Sequence, residues 1–183
     1  MGTALVLVRH GETSWNAEGR LQGQTDIPLN DVGRAQARAA GIELSGRSWD
    51  VVVSSTLGRA VETAELIGST LGVEPVDQLG DLCERHYGKA EGHLVKGLPR
   101  PDIDDLLLSA EPEAEVSRRG IAALCELLGR HEGKNIVAVA HGTLIRLTLD
   151  AISDGPPMKI MRNGEIAEVD VAALRRHMEM ARP

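Results

Sequence analysis

Two runs of consecutive apolar residues stand out along the chain. Leu5-Val6-Leu7-Val8 leads into Arg9-His10-Gly11-Glu12-Thr13, and Ile136-Val137-Ala138-Val139-Ala140 leads into His141-Gly142-Thr143. Both runs are short, rich in β-branched residues and apolar at every position, which predicts strands buried on both faces. Asp50-Val51-Val52-Val53-Ser54-Ser55 predicts a further strand, ending in hydroxyls, and Val73 to Val76 a short one. Between the strands the spacing turns helical. Asn30 is a suitable N-cap for a helix to about Leu44, with Val32, Ala35, Ala39 and Ile42 as its expected apolar face. Ser55 or Thr56 is expected to cap a helix over Leu57 to Leu71, with Leu57, Ala60, Val61, Ala64, Ile67 and Leu71 turned inward. A third helix is predicted over Glu113 to His131, with Val116, Ile121, Leu124, Cys125 and Leu128 inward, and a fourth over Thr143 to Ile152. Glu165 to Val171 alternates like a half-exposed strand, and the basic, Met-bearing tail from Ala172 to Pro183 suits a terminal helix.

Strands alternating with helices predict an α/β fold, in which ligands bind beyond the carboxyl ends of the strands. Arg9, His10 and His141 fall there. Gly11 is expected to allow a sharp turn and the close approach of a ligand. If the two His-Gly strands are parallel neighbours, both imidazoles face one crevice. The polar segment from Glu12 to Gln24 follows the first strand and is expected to form an irregular site wall holding Asn16, Arg20, Gln22 and Gly23. Ile27-Pro28-Leu29 should be extended. The stretch from His93 to Pro112 reads as a small cap with a helical turn or two near Ile103 to Ser109.

The length of 183 residues fits one domain with a substantial core, and 42% hydrophobic with 26% charged residues is a globular composition. Aromatic residues make up only 2%, with no Phe, so the core must be aliphatic and stacking on nucleobases is poorly supplied. A net charge of −7 argues against non-specific nucleic-acid binding, though a local Arg and His cluster can still hold an anion. No apolar stretch is long enough to span a membrane. Met1-Gly2-Thr3 runs straight into the first strand with no basic leader, and Val6 stands where a myristoylation signal needs Ser or Thr. Cys83 and Cys125 lack metal-ligand spacing and suit reduced thiols in the cytoplasm.

The candidate chemistry is basic and imidazole-rich. Arg59 falls in the first turn of a helix that follows a strand, where it and the helix N-terminus can serve one phosphate. Glu84 lies in Leu82-Cys83-Glu84-Arg85-His86-Tyr87-Gly88-Lys89-Ala90-Glu91-Gly92, a segment dense in titratable groups. Gly-x-Ser-x-Gly, His-Glu-x-x-His and a Gly-rich Lys-Ser/Thr loop are all missing, so serine hydrolase, zincin and P-loop readings fail. A metal is not expected: the two histidines lack a third ligand, and the neighbouring arginines repel a cation. Two imidazoles with two arginines suit phosphoryl transfer, where catalysis is mainly positioning and charge neutralisation.

At these residues the chain resembles the histidine phosphatase superfamily, phosphoglycerate mutase-like branch. The resemblance rests on Leu7 to Asn16, Leu21 to Leu29, Ser54 to Ala64, Glu84-Arg85-His86-Tyr87-Gly88 and Val139 to Gly142, in the family's order. It implies a three-layer sandwich with a mostly parallel central sheet between helices, and one domain over residues 1–183 with a small cap insertion at about 89–115. It also implies that His10 becomes a phosphohistidine, that Arg9, Arg59 and His141 stabilise the transferring phosphoryl group, and that Asn16 contacts it. The resemblance further implies that Glu84 protonates the leaving oxygen and then deprotonates water. Gln22, Gly23, Tyr87, Gly142 and Thr143 match the family's substrate pocket.

Two activities compete within the resemblance. Glu84 to Gly88 looks like the mutase form of the acid segment. However, the chain is short in cap and tail, paired cap arginines are not evident, Arg100 is flanked by prolines, and Lys96 is displaced by one position. These departures favour a phosphatase of small phosphomonoesters over a phosphoglycerate mutase, and a catalytically silent binding domain is the third reading. No cofactor is expected, with 2,3-bisphosphoglycerate needed as primer only by a mutase. The expected partner is a small phosphate ester rather than nucleic acid or a membrane, with a homodimer compatible with the family. Arg118 and Arg119 read as a solvated helix face.

Overall fold

The computed structural model describes residues 3–180, and in it the two His-Gly strands are direct neighbours. The sheet contains β1 (Leu5–Arg9), β2 (Val51–Ser55), β3 (Pro75–Leu79), β4 (Ile136–Ala140) and β5 (Ile166–Glu168). Their order is β3-β2-β4-β1-β5. All pairings are parallel except that of β5, which runs antiparallel along β1. Arg9 pairs with Ala140, so His10 and His141 leave adjacent strands at the same level. The helices are α1 (Ser14–Glu18), α2 (Asp31–Leu44), α3 (Gly58–Leu71), α4 (Arg100–Leu106), α5 (Glu113–Arg130), α6 (Gly142–Ile152) and α7 (Val171–Met180).

The unbroken apolar strands explain the three layers, because successive side chains point to opposite faces of the sheet. Val6, Val8, Val52, Val137 and Val139 pack against Ala40 and Leu44 of α2 and Ala60, Ala64 and Ile67 of α3. Leu5, Leu7, Val53, Ile136 and Ala138 pack on the other face against α5, α6 and α7, through Val116, Leu124, Leu127, Leu144, Ile145 and Leu174. Each such Val, Leu or Ile side chain contributes about 1.5–3 kcal/mol when taken fully from water.

Several elements differ from their sequence reading. Helix α2 turns Val32 (53% exposed) and Ile42 (66%) outward and buries Gly33, Ala37, Ala40, Gly41 and Leu44. It lies so close to its neighbours that only small residues fit: a Cβ on Gly33 would sit 2.1 Å from the Glu12 carbonyl oxygen, and one on Gly41 2.7 Å from Thr70 Cβ. Reading apolar bulk alone therefore picked the wrong face. Helix α3 is capped from a distance, not by Ser55 or Thr56. Leu57 occupies the N-cap position, and the Asp26 carboxylate accepts from the Gly58 N–H at 2.8 Å. The end of α3 delays β3 to Pro75, since Gly72 is left-handed and the Val73 N–H still bonds Gly68 at 3.0 Å. Segment 12–24 is not wholly irregular. Thr13 and Asn16 form a reciprocal capping box that starts α1, and Gly19 (φ 79°) ends it. Strand β5 stops at Glu168 because Asp170 caps α7, accepting from the Ala173 N–H at 2.9 Å. In the cap region, helical structure runs from Arg100 to Ser109, starting three residues before the predicted turns. The readings at Met1-Gly2 and at the last three residues of the tail lie outside the described residues.

Candidate active site

The crevice above β1 and β4 contains both imidazoles, their ring centroids 5.0 Å apart. Gly11 serves packing there, not a sharp turn. Its φ is not positive, and a Cβ on it would lie 2.2 Å from the Gly33 carbonyl oxygen. The His10 tautomer follows from its partners. Nδ1 lies 2.7 Å from the Gly11 carbonyl oxygen, which can only accept, so Nδ1 carries the proton. Nε2 then presents a lone pair, which accepts from Arg59 Nε–H at 3.3 Å. Burial, then the charges of Arg59 and Arg9, hold the His10 pKa well below the ordinary histidine range, against the opposing bond to Gly11. The ring is a neutral nucleophile near neutral pH.

His141 is fully buried, with Nε2 2.7 Å from Ser55 Oγ. Ser55 Oγ already accepts from the Leu57 N–H at 3.3 Å, and its own proton has His141 Nε2 as acceptor. With the bond in that direction, the proton of His141 is assigned to Nδ1, which has no partner among the described residues. A buried N–H with no protein acceptor is a ready donor to an oxyanion. Burial, then Arg59, His10 and Arg9, also push the His141 pKa well down.

Two guanidinium groups flank the imidazoles. Arg59, 0% exposed, donates to the carbonyl oxygens of Thr25 (2.9 Å) and Gly23 (2.6 Å). Arg9 donates to the Met161 carbonyl, and its Nε has no partner among the described residues. Gly142 lets Arg9 lie across the start of α6, since a Cβ there would be 3.2 Å from Arg9 Cζ. Burial lowers both arginine pKa values, opposed first by the Glu84 charge, and guanidinium stays protonated in proteins.

Glu84 reaches the same crevice as the cap of α6. Its oxygens accept from the backbone N–H groups of Arg85 (2.8 Å), Leu144 (3.0 Å) and Thr143 (3.1 Å), where the helix dipole favours an anion. Tyr87 OH bonds Thr143 Oγ1 at 2.6 Å, and burial raises its pKa, so it stays a neutral phenol. The Asn16 Oδ1 accepts from the Thr13 N–H at 3.1 Å and from Asn163 Nδ2 at 3.2 Å, while the Thr13 hydroxyl gives its one proton to Gln22 Oε1 at 2.5 Å. With Oδ1 occupied, the Asn16 NH2 group is the end left to donate to a ligand.

Arg9, His10, Asn16, Gln22, Gly23, Arg59, Glu84, Tyr87, Gly142 and Thr143 all line one cavity of about 120 Å³. His141 lies beside it against His10. Arg20 and Leu21 join the wall from the segment after α1, and Ile160 from the loop before β5. Sequence reasoning missed Ile160 and Asn163. Asn163 donates to the His10 carbonyl at 3.0 Å as well as to Asn16, and comes from a stretch without periodicity. Arg119 is not solvated. Its side chain is 13% exposed and donates to the Glu111 carboxylate and to the carbonyls of Asp81, Cys83 and Glu84, bracing the acid segment. It sits beside buried Gly120 at the inward edge of α5, whereas Arg118 is the solvated one, at 71%. Lys96 is exposed, and Arg100 points to solvent and pairs with Asp104, so neither lines the cavity. Among the described residues no three His, Cys, Asp or Glu side chains come together as a metal site.

The family model for the histidine phosphatase superfamily, branch 1, matches residues 5–180. The uncharacterized phosphatase PhoE of Bacillus subtilis is 40% identical over 155 residues, covering 85% of this chain and 80% of that protein. A metal-independent phosphoserine phosphatase of Arabidopsis thaliana is 34% identical, covering 94% and 77%. A probable phosphoglycerate mutase, GpmB of Citrobacter koseri, is 33% identical, covering 91% and 84%. Among solved structures, Bacillus stearothermophilus YhfR superposes with a TM-score of 0.81 at 30% identity, covering 91% and 90%. The chain belongs to the histidine phosphatase superfamily, branch 1.

Proposed function

We propose that the chain is a phosphomonoesterase of small phosphorylated metabolites that works through a phosphohistidine at His10. The observation that carries this is the unprotonated Nε2 of His10, facing a cavity with two buried arginines and the unpartnered Nδ1–H of His141. Nε2 attacks phosphorus, and the bond from phosphorus to the leaving oxygen breaks. Arg9, Arg59, His141 Nδ1–H and the Asn16 NH2 group neutralise the phosphoryl oxygens, which is most of what phosphoryl transfer requires. Glu84 enters the reaction in its protonated form and gives that proton to the leaving oxygen. It then takes one from a water that attacks the phosphohistidine, releasing phosphate and restoring neutral His10. Gln22, Gly23, Tyr87, Gly142 and Thr143 shape the subsite for the rest of the ester.

Hydrolysis is favoured over isomerisation because the cavity gains no cation from the cap: Lys96 and Arg100 lie outside it. Relatives named as phosphatases and as a metal-independent phosphoserine phosphatase support the same reading, with no metal or other cofactor. We extend it to one catalytic unit over residues 1–183 with a cap insertion at about 89–115, acting in the cytoplasm on free esters, not on nucleic acid or membranes, and able to form a homodimer. No helix among the described residues is long and apolar enough to cross a membrane.

The discriminating experiment supplies 3-phosphoglycerate with a trace of 2,3-bisphosphoglycerate and a chelator, and follows 2-phosphoglycerate and free phosphate together. Turnover of phosphoesters to free phosphate, insensitive to the chelator, is expected from this substrate or from a panel that includes phosphoserine and an aryl phosphate. Formation of 2-phosphoglycerate without phosphate would overturn the phosphatase reading in favour of a mutase.

A further inference from the structure

Glu91 lies outside the phosphate cavity, yet its side chain is only 13% exposed and both of its oxygens are saturated. Oε1 accepts from the backbone N–H groups of Gln24 and Tyr87, each at 3.1 Å. Oε2 accepts from the Thr25 N–H at 3.0 Å and the Thr25 hydroxyl at 2.5 Å. Burial alone would push this carboxyl pKa up, but the hydrogen bonds from Thr25, Gln24 and Tyr87 outweigh it and bring it below the usual range. Bonds to an ionised acceptor are roughly twice as strong as neutral ones.

Three of the four donors belong to residues 24 and 25. The opposite side of the same loop holds Arg59, whose terminal nitrogens donate to the carbonyls of Gly23 and Thr25. The carboxylate thus grips the N–H side of the loop, and the guanidinium grips the C=O side. Gly23 is bent over Glu91 with φ 57°, and a Cβ there would lie 2.2 Å from Glu91 Oε1. The loop can follow this path only around a bare glycine. Its other ties are Gln24 Nε2 to the Glu84 carbonyl, Asp26 to the Gly58 N–H, and the Thr25 N–H, which Glu91 at 3.0 Å shares with the Gln22 carbonyl at 3.2 Å.

We infer that Glu91 is a positioning residue for phosphoryl transfer, which sets the Gly23–Thr25 loop and through its carbonyls aims the Arg59 guanidinium at His10 Nε2. The inference rests on the phosphatase reading above. Glu91→Gln keeps the shape but removes the fit. Turned toward the Oε1 side, its NH2 group meets the Gln24 and Tyr87 N–H donors, and turned toward the Oε2 side it meets the Thr25 N–H, so an obligate donor stands where an oxygen accepted either way.

The test is a double-mutant cycle of wild type, Glu91→Gln, Arg59→Ala and the double variant, read as kcat/KM for an aryl phosphate with melting temperatures in parallel. In the wild-type background Glu91→Gln is expected to cost about tenfold, equivalent to about 1.4 kcal/mol. In the Arg59→Ala background it is expected to cost less than about twofold, since nothing is left for the loop to aim. Equal losses in both backgrounds would mean general damage and overturn the inference, as would no loss in the first. If Glu91→Gln does not fold, Thr25→Val runs the same cycle by removing a single donor, with about a threefold loss expected that vanishes without Arg59. A wild-type protein that turns over the ester while Arg59→Ala matches it would instead refute the phosphate-site reading itself.

Discussion

Ser55 was read from sequence as a helix cap, but its hydroxyl is the partner of His141 Nε2, and that difference predicts a defined phenotype. Ser55→Ala leaves a buried ring nitrogen unsatisfied, which costs about 1–3 kcal/mol. For a chain of this size each kcal/mol lowers the melting temperature by about 2–4 °C. A second effect falls on catalysis. The hydroxyl donates to Nε2 and so keeps the proton of His141 on Nδ1. Removing a bond worth about 1 kcal/mol releases the tautomer balance by a factor of about 5. Molecules that shift their proton to Nε2 present a lone pair to the phosphoryl oxygens where a donor is needed. With Nδ1–H the major form in wild type, that shift is expected to cost up to about threefold in kcat at saturating aryl phosphate. Ile67→Val, on the buried face of α3 and fully enclosed, is the control. It should cost about 0.5–1.5 kcal/mol and leave kcat alone. Ser55→Ala with a lowered melting temperature and unchanged kcat would refute the tautomer argument.

Gly142→Ala should separate stability from activity. Alanine is the better helix former at the start of α6 by up to about 1 kcal/mol, yet its Cβ would press on the Arg9 guanidinium from 3.2 Å. Thermal melts should hold or rise while kcat/KM falls several-fold, and a fall in stability with unchanged activity would contradict the geometry. The buried histidines also predict how stability depends on pH. Their folded pKa values are depressed, so the unfolded chain takes up protons below about pH 6.5 that His10 and His141 refuse. Stability is therefore fully present above pH 6.5 and declines as pH falls, by up to about 1.4 kcal/mol per pH unit for each ring. Denaturant titrations between pH 7 and 5 should show this slope, and His10→Gln should roughly halve it. A flat profile in wild type would rule out the neutral buried pair.

The fold was legible where apolar residues leave no choice. β4 lacks polar positions and β1 has none before Arg9, so both can only be central strands, and their shared His-Gly ending places His10 and His141 together. Arg9, Asn16, Gln22, Gly23 and Arg59 were also legible, because each sits at a strand end, a helix start or in the segment directly after one; Glu84 stood out by its titratable neighbours, and Tyr87, Gly142 and Thr143 only through the family resemblance. What could not be read is set by contacts between distant parts of the chain. The buried face of α2 depends on how closely Glu12 and Thr70 approach Gly33 and Gly41, and no periodicity encodes that. Arg119 and Arg118 are neighbours of the same type, separated only by which one meets the carbonyls around Glu84. Asn163 and Ile160 reach the site from a loop with no pattern of its own. Glu91 was one more carboxylate in a charged segment until the loop over it was seen.

The central claim is the phosphohistidine, and trapping it is the most direct measurement. Wild-type protein mixed with an aryl phosphate and quenched in alkali within the first turnover should carry one phosphoryl group on His10, located by peptide mass spectrometry and lost on acidification. His10→Ala should carry none and release no phosphate. Phosphate release from wild type without label on His10, or turnover by His10→Ala at the wild-type rate, would contradict the mechanism.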